Sequence, residues 1–280
     1  MKKKIFWGLV VIYVITIAYE IYLNTVVKVE SRSSMGAITQ VPEALIPIIG
    51  SFIGLRVAKH WGGFKSRLGK AITLYSFGLM AWGGGVVGWL IYIYILGRTE
   101  VPYPSPADFV YMLAQITWYS ATLIMARVIG AQYGFKKQNG WLKALAGCLF
   151  GVVVSYVLLV TIARHGSLTA SGFNLRTFFD FYYPIATSLS LTLTLVIFLL
   201  SRKYLGGIYK KPLLILFAGF IFQFFGDFTY TLSNTNETYF NGHWSDMLFT
   251  TAMLTLTFGL LLYDVGRAPS TKSVEAPRSE

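Results

Sequence analysis

Two acids stand where nothing local accounts for them, Glu20 in "IAYEIYLN" and Asp227 in "FGDFTYTL". Each falls inside a run of apolar and aromatic residues, roughly 6 to 10 Å short of the run's end at 1.5 Å per helical residue. A carboxylate at mid-membrane costs on the order of 2.5–3.5 kcal/mol and somewhat less at this depth, so a cation or a proton must relieve it. Four more acids, Glu43, Asp108, Asp180 and Asp246, open further apolar runs. There the free N–H groups and the dipole of a helix N-terminus favour negative charge by about 0.3–1 kcal/mol. "SPAD", residues 105–108, fits a capping box with proline in the first turn, and "TFFD", residues 177–180, repeats the device without proline. Helix capping and ligand binding therefore both stand as roles for these acids. Aromatic residues crowd the same zone, Tyr111, Tyr230 and Trp244 among them. Acids among aromatic faces suit an organic cation or a protonated amine, although Trp and Tyr also belt membrane interfaces with no ligand. The expected ligand-binding set is Glu20, Asp108, Tyr111, Asp180, Asp227, Tyr230, Trp244 and Asp246.

Other chemistries find less support. The histidines His60, His165 and His243 are scattered, with no i, i+4 pair for a metal or a haem. Every lysine lies at or beyond the end of an apolar run, which removes a mid-helix Schiff base. G-x-S-x-G, H-E-x-x-H and the phosphate-binding G-x-x-x-x-G-K-[ST] are absent from the sequence. The single cysteine, Cys148, excludes an intrachain disulfide. "NET", residues 236–238, matches a glycosylation acceptor. No catalytic residue and no metal ligand is assigned, and no cofactor is identified.

The elements that must position these acids are membrane helices. Hydrophobic residues make up 55% of the 280 and charged residues 13%, against roughly 25% charged in a soluble domain. Seven runs reach the roughly 20 residues that cross a bilayer, near 5–27, 71–97, 107–129, 141–163, 177–200, 212–232 and 245–264. A shorter one, 42–58, contains Pro47. Charge argues that it crosses too: with eight crossings from a cytoplasmic N-terminus, 19 of the 24 Lys and Arg fall on the cytoplasmic side, as the positive-inside rule requires. Lys28, Arg32, Arg98, Arg164 and Arg176 remain outside. Nine of the twelve acids fall in the outer half. The net charge of +12 thus labels topology and suits anionic lipid headgroups, with no nucleic-acid partner implied.

The expected fold is all-α, an eight-helix transmembrane bundle over residues 1–264, built as four hairpin-like repeats with both termini cytoplasmic. Residues 265–280, "VGRAPSTKSVEAPRSE" with Asp264 before them, read as a disordered cytoplasmic tail. Gly84 and Gly88, and Gly147 and Gly151, have the small-xxx-small spacing that lets helices approach closely.

The stretch "WGGGVVGWLIYIYILGRTEVPYPSPADFVYMLAQ", residues 82–115, resembles the multi-helix membrane region found upstream of diguanylate cyclase and histidine kinase domains in many bacteria. The likeness extends through "DFYYPIATSLSLTL", 180–193, and "GDFTYTLSNTNETYFNGHWSDMLFTTAMLTLTFGLLL", 226–262, about two-thirds of the chain. The resemblance implies a sensory input and points at Asp108, Tyr111, Asp180, Pro184, Asp227, Trp244 and Asp246. The chain departs from that family where a signalling enzyme would follow the last helix, so a partner protein would supply the output.

The expectation is a non-enzymatic, multi-pass protein of a prokaryotic plasma membrane, sensor-like, with an outward-facing acidic and aromatic cavity. The cavity would take a small cationic ligand or a lipid, or dock a partner. A cation- or proton-coupled transporter using Glu20, Asp180 and Asp227, or an accessory subunit of a membrane complex, is the alternative. Against transport, no acid or polar chain is evident in the cytoplasmic half.

Overall fold

Long apolar runs punctuated by Gly, Pro and Ser become helices, and among the described residues every regular element is helical. The computed structural model describes residues 2–27, 35–97, 102–137, 139–166, 175–203 and 209–264, with backbone alone at residues 2, 3, 176, 177, 180, 181 and 184. The helices are α1 (Lys2–Thr25), α2 (Gln40–His60), α3 (Arg67–Leu90), α4 (Pro106–Val128), α5 (Ala131–Lys136), α6 (Gly140–Ser155), α7 (Leu175–Ser201), α8 (Lys210–Thr235) and α9 (Trp244–Leu262). Wider helical turns at Ile91–Ile95 and Tyr156–Ile162 prolong α3 and α6. The tail read as disordered lies outside the described residues.

Seven helical segments are long and apolar enough to cross a membrane, and the segment containing Pro47 is one of them, lengthened to Ala37–His60. An eighth crossing would rest on α7, whose 27 residues include the shorter apolar stretch Ile185–Ser201. Helices α2, α3, α4, α8 and α9 pack into the centre, α7 bridges α4 and α8, α6 leans on α7, and α1 leans on α9.

Glycine sets how close the helices come. Gly147 and Gly151 admit Val196 and Thr192 of α7, as their spacing predicts. In α3 the expectation holds in part: Gly88 meets the Ala107 methyl of α4 at 3.3 Å, but Gly84 meets only Val110 at 3.7 Å, and the tightest approaches are at Gly78 under the Trp118 indole, Gly83 under Ala44 and Ile48, and Gly85 under the Tyr111 ring. Trp82 is thereby surrounded by Tyr111, Trp118 and Phe249, with ring centroids 4.8, 6.0 and 5.3 Å away.

Hydrogen bonds fix which helix ends lie together. At one end, His60 pairs with Asp264 at 3.6 Å and the Trp61 indole donates to the Tyr263 carbonyl at 2.8 Å. At the other, Gln40 donates to Asp246 at 3.0 Å and Asn24 to the Gly242 carbonyl at 2.7 Å. Helices α2 and α9 therefore run parallel, and Arg56, Lys59, Lys65, Arg67 and Lys70 lie at the end opposite Asp108 and Asp246. The bundle has a basic end and an acidic end, the sidedness on which the sequence reading depends.

Candidate functional site

The acidic end begins with local capping. Ser105 is extended and α4 starts at Pro106, and Asp108 accepts hydrogen bonds from the Ser105 backbone N–H at 2.6 Å and hydroxyl at 3.0 Å. Asp108 also reaches out of its own helix, taking the Tyr183 hydroxyl of α7 at 2.6 Å. Capping and a tertiary contact are met by one side chain.

Asp246 does the same at α9. The chain turns at Gly242, whose φ of +86° favours glycine, and its N–H donates to Asp246 at 2.7 Å. Gln40 of α2 donates at 3.0 Å, Ser245 at 3.2 Å and Tyr239 at 3.4 Å. Asp246 is thus saturated with donors.

Its neighbours are not. Glu20 of α1 is 0% exposed and neither of its carboxyl oxygens has a hydrogen-bond partner. Glu43 of α2, one turn from Gln40, is buried, and its Oε2 has none either. Glu43 lies within the electrostatic reach of both Asp246 and Glu20, so three carboxyls from three helices act on one another without meeting closely enough to share a metal ion. No lysine or arginine among the described residues pairs with them. Thr250, one turn along α9 from Asp246, leaves its buried hydroxyl unpartnered; other helical threonines, such as Thr251 and Thr255, bond the carbonyl four residues back. Tyr111, Tyr230 and Tyr239 wall this nest, Tyr230 standing edge-on to Tyr239 at 4.8 Å.

The sequence-derived set divides accordingly. Glu20, Tyr111, Tyr230 and Asp246 come together, and Asp108 adjoins them through Tyr111. Glu43, Gln40 and Tyr239, outside the expected ligand-binding set, join them; the three-residue spacing of Glu43 from Gln40 on one helix face is the signal in the sequence. Trp244 is 42% exposed and stands outside the nest. Asp227 lies apart, between α8 and α7, where Thr187 donates to it at 2.6 Å. The side chains of Asp180 and Pro184 lie outside the described residues. The outward-facing cavity of the sequence reading takes another form here, because the three carboxyls are enclosed by protein and line no open mouth.

The histidines remain dispersed: His60 pairs with Asp264, His165 contacts Asn236 at 2.9 Å, and His243 precedes α9. Among the described residues no group of three or more His, Cys, Asp or Glu is placed to hold a metal ion. Comparison with family models, with curated proteins and with solved structures finds no match.

Proposed function

We propose that this is a non-enzymatic, sensor-like integral membrane protein that binds a small organic cation at the nest of Glu20, Glu43 and Asp246. The supporting observation is that Glu20 and Glu43 present buried carboxyl oxygens without partners beside a saturated Asp246. A buried carboxylate left unpaired is expensive, and helices from opposite ends of the chain converge to set two of them near Asp246. Tyrosine faces around the nest attract an alkylammonium by its charge without chelating it, which suits an organic cation better than a metal ion.

The acidic end faces outward on the positive-inside rule, so the ligand arrives from outside the cell. Entry requires the Tyr239-to-His243 segment to lift, because Tyr239 and the Gly242 N–H close over Asp246. Lifting that segment removes the Gly242 and Tyr239 donors from Asp246, and the bound cation takes their place against the carboxylate. The movement is transmitted along the parallel pair α2 and α9 to Arg56 and Lys59 at the basic end, where a partner protein reads it. The resemblance of residues 82–115, 180–193 and 226–262 to membrane sensory regions agrees with this role.

Titration of the purified protein with tetramethylammonium, read by tryptophan fluorescence through Trp82, whose ring centroid lies 4.8 Å from that of Tyr111, is the test. Glu43→Gln and Glu20→Gln each remove one charge, worth about 1.5–3 kcal/mol, and should weaken binding roughly 10- to 150-fold while melting temperature holds. Binding unaltered in both variants, or no binding by the wild type, would refute the assignment.

A further inference from the structure

The nest is short of hydrogen-bond donors, a property that its charge alone does not describe. Four buried oxygens there have no partner: both of Glu20, Oε2 of Glu43 and the hydroxyl of Thr250. Helix register places the last two together. In the parallel pair α2 and α9, Gly50 packs against the Thr257 hydroxyl and Gln40 meets Asp246. About two turns back from Gly50 and Thr257, Glu43 and Thr250 therefore stand at one level. Thr250 is 0% exposed, and its hydroxyl does not turn back onto its own helix as the Thr251 and Thr255 hydroxyls do.

Each of these four atoms accepts hydrogen bonds, and the donors close by are already engaged. The Gly242 N–H, the Gln40 amide and the Tyr239 hydroxyl point at Asp246. Trp82 Nε1, beside Tyr111, is unpartnered too, but it is a single N–H. The Thr250 hydroxyl hydrogen serves at most one carboxyl oxygen. Cations differ in what they bring to such a place. A quaternary ammonium supplies charge and no donor. A primary ammonium supplies the same charge with three N–H donors, each reaching a carboxylate oxygen at about 2.7–2.9 Å. A metal ion needs its oxygens at about 2.0–2.6 Å, and among the described residues no three acids are placed to provide that. The longer N–H···O reach spans the wider spacing.

Resting on the cation site proposed above, we infer that the nest selects primary ammonium ions over quaternary ones, with Glu20, Glu43 and Thr250 accepting the three N–H bonds. Asp246, saturated by its own donors, contributes charge from the side, and Tyr111, Tyr230 and Tyr239 face the ligand's carbon skeleton. A quaternary ion directs a methyl group where each N–H would point and leaves the buried oxygens unsatisfied, which is how a site built for hydrogen bonding rejects an analogue without the donor. Thr250 sets the selectivity, because it takes part in hydrogen bonding and carries no charge. The three acceptors come from α1, α2 and α9, so a bound primary ammonium ties those helices to one another in a way that a ligand held by charge alone does not.

The test compares tert-butylammonium with tetramethylammonium, isomers of nearly the same shape, the first with N–H donors and the second with none. Isothermal titration calorimetry of the full chain in detergent should find tert-butylammonium bound at least tenfold tighter, as charge-assisted hydrogen bonds require. Thr250→Val should weaken tert-butylammonium about 3- to 10-fold, the effect of one uncharged acceptor, and leave tetramethylammonium unchanged. Glu20→Leu should weaken both and narrow the preference about tenfold. Thr255→Val, whose hydroxyl serves its own helix, should alter neither affinity. Equal affinity of wild type for the two isomers, or a preference for tetramethylammonium, overturns the inference while leaving the nest a cation site; this comparison needs no variant to fold. Thr250→Val that weakens both isomers alike, or neither, overturns it as well. If neither isomer binds, the cation site itself is refuted and the inference falls with it. Repeating the titration in nanodiscs of phosphatidylglycerol with and without phosphatidylethanolamine separates two sources of the same chemistry. Weaker tert-butylammonium binding only where phosphatidylethanolamine is present assigns the natural primary ammonium to the lipid headgroup, and equal binding in both assigns it to a free amine.

Discussion

Replacement of Asp246 separates the hydrogen-bond role of its carboxylate from its charge. Leucine at 246 keeps similar volume but leaves the Gly242 N–H and the Gln40 amide, 2.7 and 3.0 Å from the carboxylate, without an acceptor. Each buried donor so abandoned costs roughly 1–3 kcal/mol, or about 2–6 kcal/mol together. Asparagine keeps an acceptor oxygen for those two donors, and its NH2 group faces the Ser245 and Tyr239 hydroxyls, which can turn to accept. The exchange weakens charge-assisted bonds by about 1–2 kcal/mol, and the loss of one negative charge next to Glu20 and Glu43 offsets part of that. At roughly 2–4 °C per kcal/mol for a chain of this order, Asp246→Leu should melt about 4–24 °C below wild type in detergent and Asp246→Asn within a few degrees of it. Intrinsic tryptophan fluorescence against temperature, checked by size-exclusion recovery after heating, measures both. Equal melting of the two variants, or an Asp246→Leu protein as stable as wild type, would refute the claim that these donors anchor the start of α9 to α2.

Two further substitutions test packing and capping by the same thermal assay. Gly85→Ala places a methyl group into the Tyr111 ring and should cost about 1–3 kcal/mol by overpacking, whereas Gly84→Ala, with only Val110 at 3.7 Å, should be close to neutral; the reverse order would mean that α3 faces its neighbours differently. Ser105→Ala removes the hydroxyl partner of Asp108 and should cost about 1 kcal/mol, as loss of an N-cap does, with full stability counting against a working cap.

The start of α4 was legible because everything it needs is local: Ser105, Pro106 and Asp108 specify a helix entry within four residues. The two-ended charge distribution was legible too, since Lys and Arg mark loops whatever the helices do between them. The nest was only half legible. Depth along a helix singled out Glu20, but its grouping with Glu43 and Asp246 depends on α2 lying parallel to α9 across 206 residues of sequence separation, and no local pattern encodes that pairing. Asp227 looked equivalent to Glu20 by depth alone. It sits elsewhere because its helix faces α7, where Thr187 meets it. The hydroxyl contacts between helices, Thr187 to Asp227, Ser190 to Gln115 and Thr122 to Tyr75, were invisible for a different reason: Ser, Thr and Tyr barely lower the hydropathy of a run, and whether a hydroxyl turns back on its own helix or across to a neighbour is decided by the partner helix. The glycines show the same limit, since spacing drew attention to Gly84 while packing uses Gly83 and Gly85.

The union of α1, α2 and α9 at the acidic end also orders the protein's assembly in time. Glu20 and Glu43 leave the ribosome some 200 residues before Asp246 and its Gly242 turn, an interval of roughly 10–40 s at 5–20 residues per second. Throughout that interval the early helices sit in lipid with their acids unscreened, and the bundle closes only when the final hairpin inserts. The last helix is in effect a keystone, and a chain cut before it strands two acids without their partners in the bilayer and presents itself to membrane quality control as unfinished.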